Sequence, residues 1–165
     1  MFVIIEWGQL IMPNKEWNML NNLQLGRYAE YFAKMEFASY GLEVYTSEVD
    51  DHGIDFIVKD KKGRFCEIQV KSKTNNGYVF MQKNKFDIDN KNFYLTLLVF
   101  KTGKLPDIFL IPSETWKEPN GVFVDRKYNK PGQKSKPEYG INISQVKYDI
   151  LEMFKFEEYI KKFIE

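Results

Sequence analysis

The chain of 165 residues is 44% hydrophobic and 16% aromatic, with 24 Lys and Arg against 23 Asp and Glu, which predicts one domain with a large core and excludes a disordered or fibrous protein. A single cysteine, Cys66, and a single histidine, His52, exclude a disulfide framework and a four-ligand zinc site. The net charge of +1 argues against a uniformly basic nucleic-acid binder.

Charge is nevertheless segregated along the chain. Residues 1–58 hold nine acidic and three basic side chains, residues 59–91 nine basic and four acidic, and residues 126–136 five basic and none acidic. Neither G-x-G-x-x-G nor Gly-Lys-Ser/Thr occurs, which predicts no nucleotide cofactor. The longest apolar run, Tyr94 to Phe100, is well short of the roughly 20 residues that span a bilayer, and the first residues lack a basic leader. The expectation is a soluble cytoplasmic protein with no membrane partner.

Residues 1–17 show no clean period and contain Pro13, so they read as a loose extension to a single domain over 18–165. From Asn21, apolar residues recur at helical spacing (Leu25, Ala29, Phe32, Ala33, Phe37), with Asn21 and Gln24 placed as a capping box and Gly41 as the stop. Strands are predicted at Leu42–Thr46, Ile54–Lys59 and Arg64–Ser72, the first two joined by an acidic loop that makes His52 a turn residue. Further strands are predicted at Phe93–Phe100 and Asp107–Ile111, then a short helical turn capped by Ser113 and running through Trp116. After a Pro/Gly/Lys-rich loop over 129–140 come Ile141–Ile143 and an amphipathic helix over about 144–164, broken near Phe154.

The chemistry concentrates in one hairpin. Asp60-Lys61-Lys62-Gly63-Arg64 fits a three-residue loop with Gly in the left-handed position, so residue 60 pairs with 64. The pairs Ile54/Val70, Phe56/Ile68 and Val58/Cys66 then share an apolar face, which makes Cys66 a buried, inert thiol. Asp55 falls opposite Gln69 on the other face, diagonal to Glu67 and Lys71. Two carboxylates held together call for a cation, and oxygen ligands favour Mg²⁺ or Mn²⁺. An adjacent lysine can help to activate the water that hydrolyses a phosphodiester. Taken alone, Glu30 also reads as an i,i+4 partner of Lys34.

The segment G-I-D55-F-I-V followed by E67-I-Q69-V-K71-S resembles the PD-(D/E)XK nuclease superfamily. Gly26-Arg-Tyr-Ala-Glu30 resembles the first helix of its Mrr-like and Holliday-junction-resolvase-like branches, and I-P-S-E-T-W with K-S-K-P-E-Y-G-I-N-I-S is similar to an uncharacterised prokaryotic branch. The resemblance implies an α/β fold: a restriction-endonuclease-like αβββαβ core, its mixed sheet flanked by helices, with a C-terminal helical segment. It also implies an Mg²⁺- or Mn²⁺-dependent endonuclease acting on DNA, with Asp55 as metal ligand, Glu30 as auxiliary acid and Lys71 as catalytic lysine. Ile54 stands where the proline of the motif would be, and the acid-x-lysine step fits either Gln69-x-Lys71 or Glu67-x-Gln69. The first is favoured because Gln69 is opposite Asp55 and the lysine is kept; Glu67 then joins Asp55 and Gln69 as a metal ligand.

Lys73, Lys83, Lys85, Lys130, Lys134 and Lys136 follow or face this hairpin and are the expected phosphate contacts, while Tyr78 and Phe80 beside them suit base stacking. A homodimer is compatible with the sequence. The alternative function is a catalytically inactive nucleic-acid-binding or protein-interaction module on the same fold.

Overall fold

The computed structural model describes residues 14–46 and 53–165. Residues 1–13 of the expected extension over 1–17, and residues 47–52 of the acidic loop, His52 among them, lie outside the described residues. Helix α1 (Asn22–Ser39) starts as the sequence predicts. The Asn21 side chain accepts from Gln24 N–H at 2.9 Å, and Gln24 Oε1 accepts from Asn21 N–H at 3.0 Å. This capping box satisfies two donors that a helix start leaves open. Leu25, Ala29, Ala33 and Phe37 form the buried face, and Gly41, at φ +73°, turns the chain out of the helix. Trp17, at the end of the expected extension, docks on the core: its ring contacts Tyr28 and Phe100, and Nε1 donates to the Lys104 carbonyl at 2.8 Å.

The strands, in chain order, are β1 (Glu43–Tyr45), β2 (Phe56–Lys59), β3 (Phe65–Thr74), β4 (Gly77–Gln82), β5 (Phe93–Phe100), β6 (Asp107–Pro112), β7 (Phe123–Arg126) and β8 (Glu138–Ile143). Five of them form a mixed sheet in the order β1-β2-β3-β5-β6, in which only β3 and β5 run parallel. The other three form an antiparallel sheet, β4-β8-β7. Three short helices, α2 (Tyr148–Glu152), α3 (Phe156–Tyr159) and α4 (Lys161–Ile164), close the chain.

Strand β5 explains the layering. Phe93, Leu95, Leu97 and Val99 point into one buried cluster, whereas Leu98 and Phe100 point into the other, the alternation expected of a central strand covered on both faces. On one side the sheet meets α1 and Phe156, Ile160 and Phe163 of the C-terminal helices. On the other it meets Val79, Met81, Phe123 and Ile141 of the second sheet, with Trp116 and Leu151.

This mixed α/β architecture, with its C-terminal helices, follows the expected fold class, and three details differ. The parallel crossover from β3 to β5 passes through β4 and a 3₁₀ turn at Lys83–Lys85 where an αβββαβ core would place a helix. Strands β4 and β7 were not predicted, and β8 starts three residues earlier than the sequence pattern suggested. Ser113 does not cap the 3₁₀ turn Ser113–Lys117; its hydroxyl donates to the Asn90 carbonyl at 2.9 Å instead. The C-terminal helix is broken near Phe154, as expected, because Phe154 O accepts from Leu110 N at 2.8 Å and Lys155 bridges Phe109. The unpaired edge of β6 thus takes a backbone partner at the expense of helix continuity.

Candidate active site

The β2–β3 hairpin has the expected register. Phe56 pairs with Ile68, Val58 with Cys66 and Lys59 with Phe65, and Gly63 takes φ +82° in the turn. The Asp60 carboxylate fastens this turn by accepting from Lys62 N–H (2.9 Å), Arg64 N–H (2.8 Å) and Arg64 Nε (2.6 Å). Burial opposes ionisation, but the Arg64 backbone and guanidinium and the Lys62 amide together hold Asp60 below the usual carboxylate range. Cys66 is buried as expected, and that burial pushes its thiol up to about 11, so it stays protonated and inert.

At Asp55 the ladder stops. Its N–H donates to the Ile68 carbonyl at 2.9 Å, although Phe56 already pairs with Ile68. The expected Ile54/Val70 pair is therefore absent, and Ile54 packs into the opposite cluster from Val70. Strand β3 continues to Thr74, and among the described residues no strand pairs with it on that side beyond Ile68. The Val70 N–H, left without a ladder partner, donates to the Asp55 carboxylate. The point where β2 leaves β3 thus places a carboxylate against an open strand edge.

A cavity of about 410 Å³ opens at this point, lined by Glu30 of α1 and by Gly53, Asp55, Gln69, Lys71 and Lys85. Gln69 is only 6% exposed, and its carbonyl oxygen has no hydrogen-bond partner among the described residues. Leaving such a group buried and unpaired costs about 1–3 kcal/mol. Gly53, at φ +78°, closes over the amide: a Cβ there would lie 2.8 Å from Gln69 Nε2 and 3.0 Å from the Lys85 carbonyl. Glu30 is ion-paired with Arg27 at 2.7 Å, not with Lys34.

Glu67 is not brought into this cavity. It lines a neighbouring cleft with Lys83, Lys85 and Asn90, whose amide donates to its carboxylate at 3.0 Å. Sequence reasoning missed Asn90, which carries no motif. Of the expected phosphate contacts, Lys85 lines the Asp55 cavity, and Lys73 lines an adjoining one. Lys83 is ion-paired with Asp125 and lies 4.5 Å from the centre of the Tyr139 ring. Lys130, Lys134 and Lys136 are exposed on the loop before β8; Pro137, at its end, accepts from Lys83 N–H at 3.0 Å.

The fold is similar over 85% of this chain, and 98% of the other, to that of a Holliday junction resolvase from the archaeal hyperthermophile Archaeoglobus fulgidus, with a TM-score of 0.49 and 11% identity. A bacterial homing endonuclease is similar over 81% of this chain and 95% of its own, with a TM-score of 0.47 and 18% identity. No protein-family model matches the sequence, and no curated protein matches it. What this chain can do is set by its own side chains.

Those side chains suit a hard cation. Asp55 and the unpartnered Gln69 oxygen offer oxygen donors in one cavity, and among the described residues no group of three or more His, Cys, Asp or Glu could hold a metal. Mg²⁺ commonly uses only one or two carboxylates and keeps several waters, so Asp55 and the Gln69 oxygen are the groups that could hold it. No helix among the described residues is long and apolar enough to cross a membrane.

Proposed function

We propose that this chain is a divalent-metal-dependent, endonuclease-like domain that hydrolyses DNA phosphodiesters. The observation that carries the reading is the cavity in which Asp55, the unpartnered Gln69 carbonyl, Glu30 and Lys71 meet. Asp55 and Gln69 would hold Mg²⁺ or Mn²⁺, which when bound lowers the pKa of water and offsets phosphate charge. Because Glu67 is turned to another cleft, Gln69-x-Lys71 is the favoured form of the motif.

Lys71 positions the attacking water and offsets charge that builds on the phosphate oxygens. Hydrolysis consumes that water: its oxygen bonds to phosphorus, the bond from phosphorus to the leaving oxygen breaks, and the leaving oxygen takes a proton. Asp55, fixed by Val70 N–H, supplies an acceptor whose position does not depend on substrate. Glu30, steadied by Arg27, serves as auxiliary acid at the cavity wall. Lys73 and Lys85 contact phosphate near the site, and Lys130, Lys134 and Lys136 contribute less specific attraction.

A second reading, an inactive nucleic-acid-binding or protein-interaction module, is favoured by the scarcity of acidic ligands among the described residues. The deciding experiment incubates supercoiled, linear, branched and single-stranded DNA with the protein in Mg²⁺, Mn²⁺ or chelator. The nuclease reading expects metal-dependent nicking of at least one form and its loss in Lys71→Ala. DNA binding with no cleavage under any metal condition would leave the binding module.

A further inference from the structure

A second cavity, of about 460 Å³, adjoins the candidate site and shares Gln69, Lys71 and Lys85 with it. Its far wall is β4, which supplies Tyr78 and Phe80, and Lys73 adds a third cation; no Asp or Glu is among its described lining residues. Strand β4 points Val79 and Met81 into the core and leaves Phe80 48% exposed. An exposed phenylalanine among three lysines is poorly suited to plain solvent, and it matches a ligand that carries both negative charge and flat apolar faces.

The rings are held in place before any ligand arrives. Tyr78 and Phe80 lie near parallel, at 17°, with centroids 6.4 Å apart. Tyr78 donates its hydroxyl to Glu138 at 2.7 Å, and the Arg126 guanidinium sits 4.0 Å from its ring centre. Tyr128 donates to the same Glu138 oxygen at 2.9 Å. Gly140 makes the arrangement possible, since a Cβ there would stand 2.1 Å from the Tyr78 hydroxyl oxygen. With its polar end committed to Glu138, Tyr78 supports Phe80 as part of a stacking surface.

We propose that this groove binds an unpaired stretch of DNA, with a base stacked on Phe80 and phosphates on Lys73 and Lys85, so that the preferred substrate carries single-stranded nucleotides beside the scissile bond. Duplex DNA hides its base faces within its own stack and offers this groove only phosphate; an unpaired strand offers both. The proposal rests on the nuclease reading for the scissile bond, whereas the binding preference stands apart from it.

The test measures affinity by fluorescence anisotropy in chelator, using one labelled sequence as single-stranded DNA, single-stranded RNA and blunt duplex DNA, across a salt series. Single-stranded DNA is expected to bind about tenfold more tightly than the duplex. Phe80→Ala should lower that ratio by about tenfold, with the salt slope unchanged because no charge is removed, and Phe80→Tyr should keep it. An unchanged melting curve for Phe80→Ala excludes misfolding. Equal affinity for single strand and duplex, a Phe80→Ala variant with the wild-type ratio, or tighter binding of RNA than of both DNA forms would overturn the proposal. Metal-dependent cleavage, assayed separately, tells that failure from failure of the nuclease reading: duplex cleavage with no single-strand preference sinks only the groove.

Discussion

The β2–β3 hairpin and the β4-β8-β7 sheet lie beside the same site but are held by different physics. In the hairpin, the Asp60–Gly63 turn sets the register from Lys59/Phe65 to Phe56/Ile68, and the segments just beyond that ladder bring Gln69 and Lys71 into one cavity with Asp55. The second sheet pairs Gly77 with Ile143 and Phe123 with Ile141, partners joined only through the rest of the fold. Its cohesion comes from buried rings, among them Trp116, whose centre lies 5.1 Å from those of both Phe86 and Phe123. The hairpin thus carries the unpartnered Gln69 carbonyl oxygen of the candidate site, while the sheet supplies the packing that keeps the adjoining wall in place.

The contrast breaks most sharply through paired substitutions. Lys71→Ala should reduce metal-dependent cleavage by about a hundredfold or more while the melting temperature stays near wild type. A cleavage rate near wild type would move the catalytic step to Glu67-x-Gln69. Phe123→Ala should do the reverse, costing about 3–5 kcal/mol in denaturant unfolding through the cavity it leaves against Trp116 and Phe154. A loss below 1 kcal/mol would mean that the second sheet is not a packing element.

Smaller effects sharpen the comparison. Gly53→Ala forces a Cβ against Gln69 and Lys85 at a positive φ, so it should cost about 1–2 kcal/mol and also lower cleavage by displacing the amide. Lost stability with full activity would show that the Gln69 position is not needed. Asp60→Ala should lower stability by about 1 kcal/mol at neutral pH. Because the folded pKa of Asp60 is depressed, its contribution is complete above the ordinary carboxylate value of about 4 and is lost as pH falls through the folded value. Unfolding free energies measured from pH 7 down to pH 2 should converge for wild type and variant at the acid end.

Much of the hairpin was legible in the sequence because its determinants are local. The Asn21/Gln24 box, the Gly63 turn and the apolar alternation of Phe56, Val58, Cys66 and Ile68 each act over a few residues. Of the second sheet only the end of β8 was legible, and β4 was not, because it carries Tyr78 and Phe80 on its outer face and Val79 and Met81 inside. With apolar residues on both faces, no alternation marks it as a strand. At the site, register alone put Glu67 beside Asp55. The break in the ladder at Asp55 and the Asn90 amide on Glu67 depend on where distant chain segments arrive, and no spacing announces them.

The central claim is that Asp55 and Gln69 form a cation site in the folded protein. Thermal unfolding of wild type and Asp55→Asn across a Mn²⁺ titration tests it without needing turnover. At a hundred times the dissociation constant, the wild-type melting temperature should rise by about 5–10 °C, because a ligand bound only by the folded state stabilises it by mass action. Asp55→Asn should lose that rise. Equal shifts in the two proteins, or none in wild type at millimolar metal, would contradict the account.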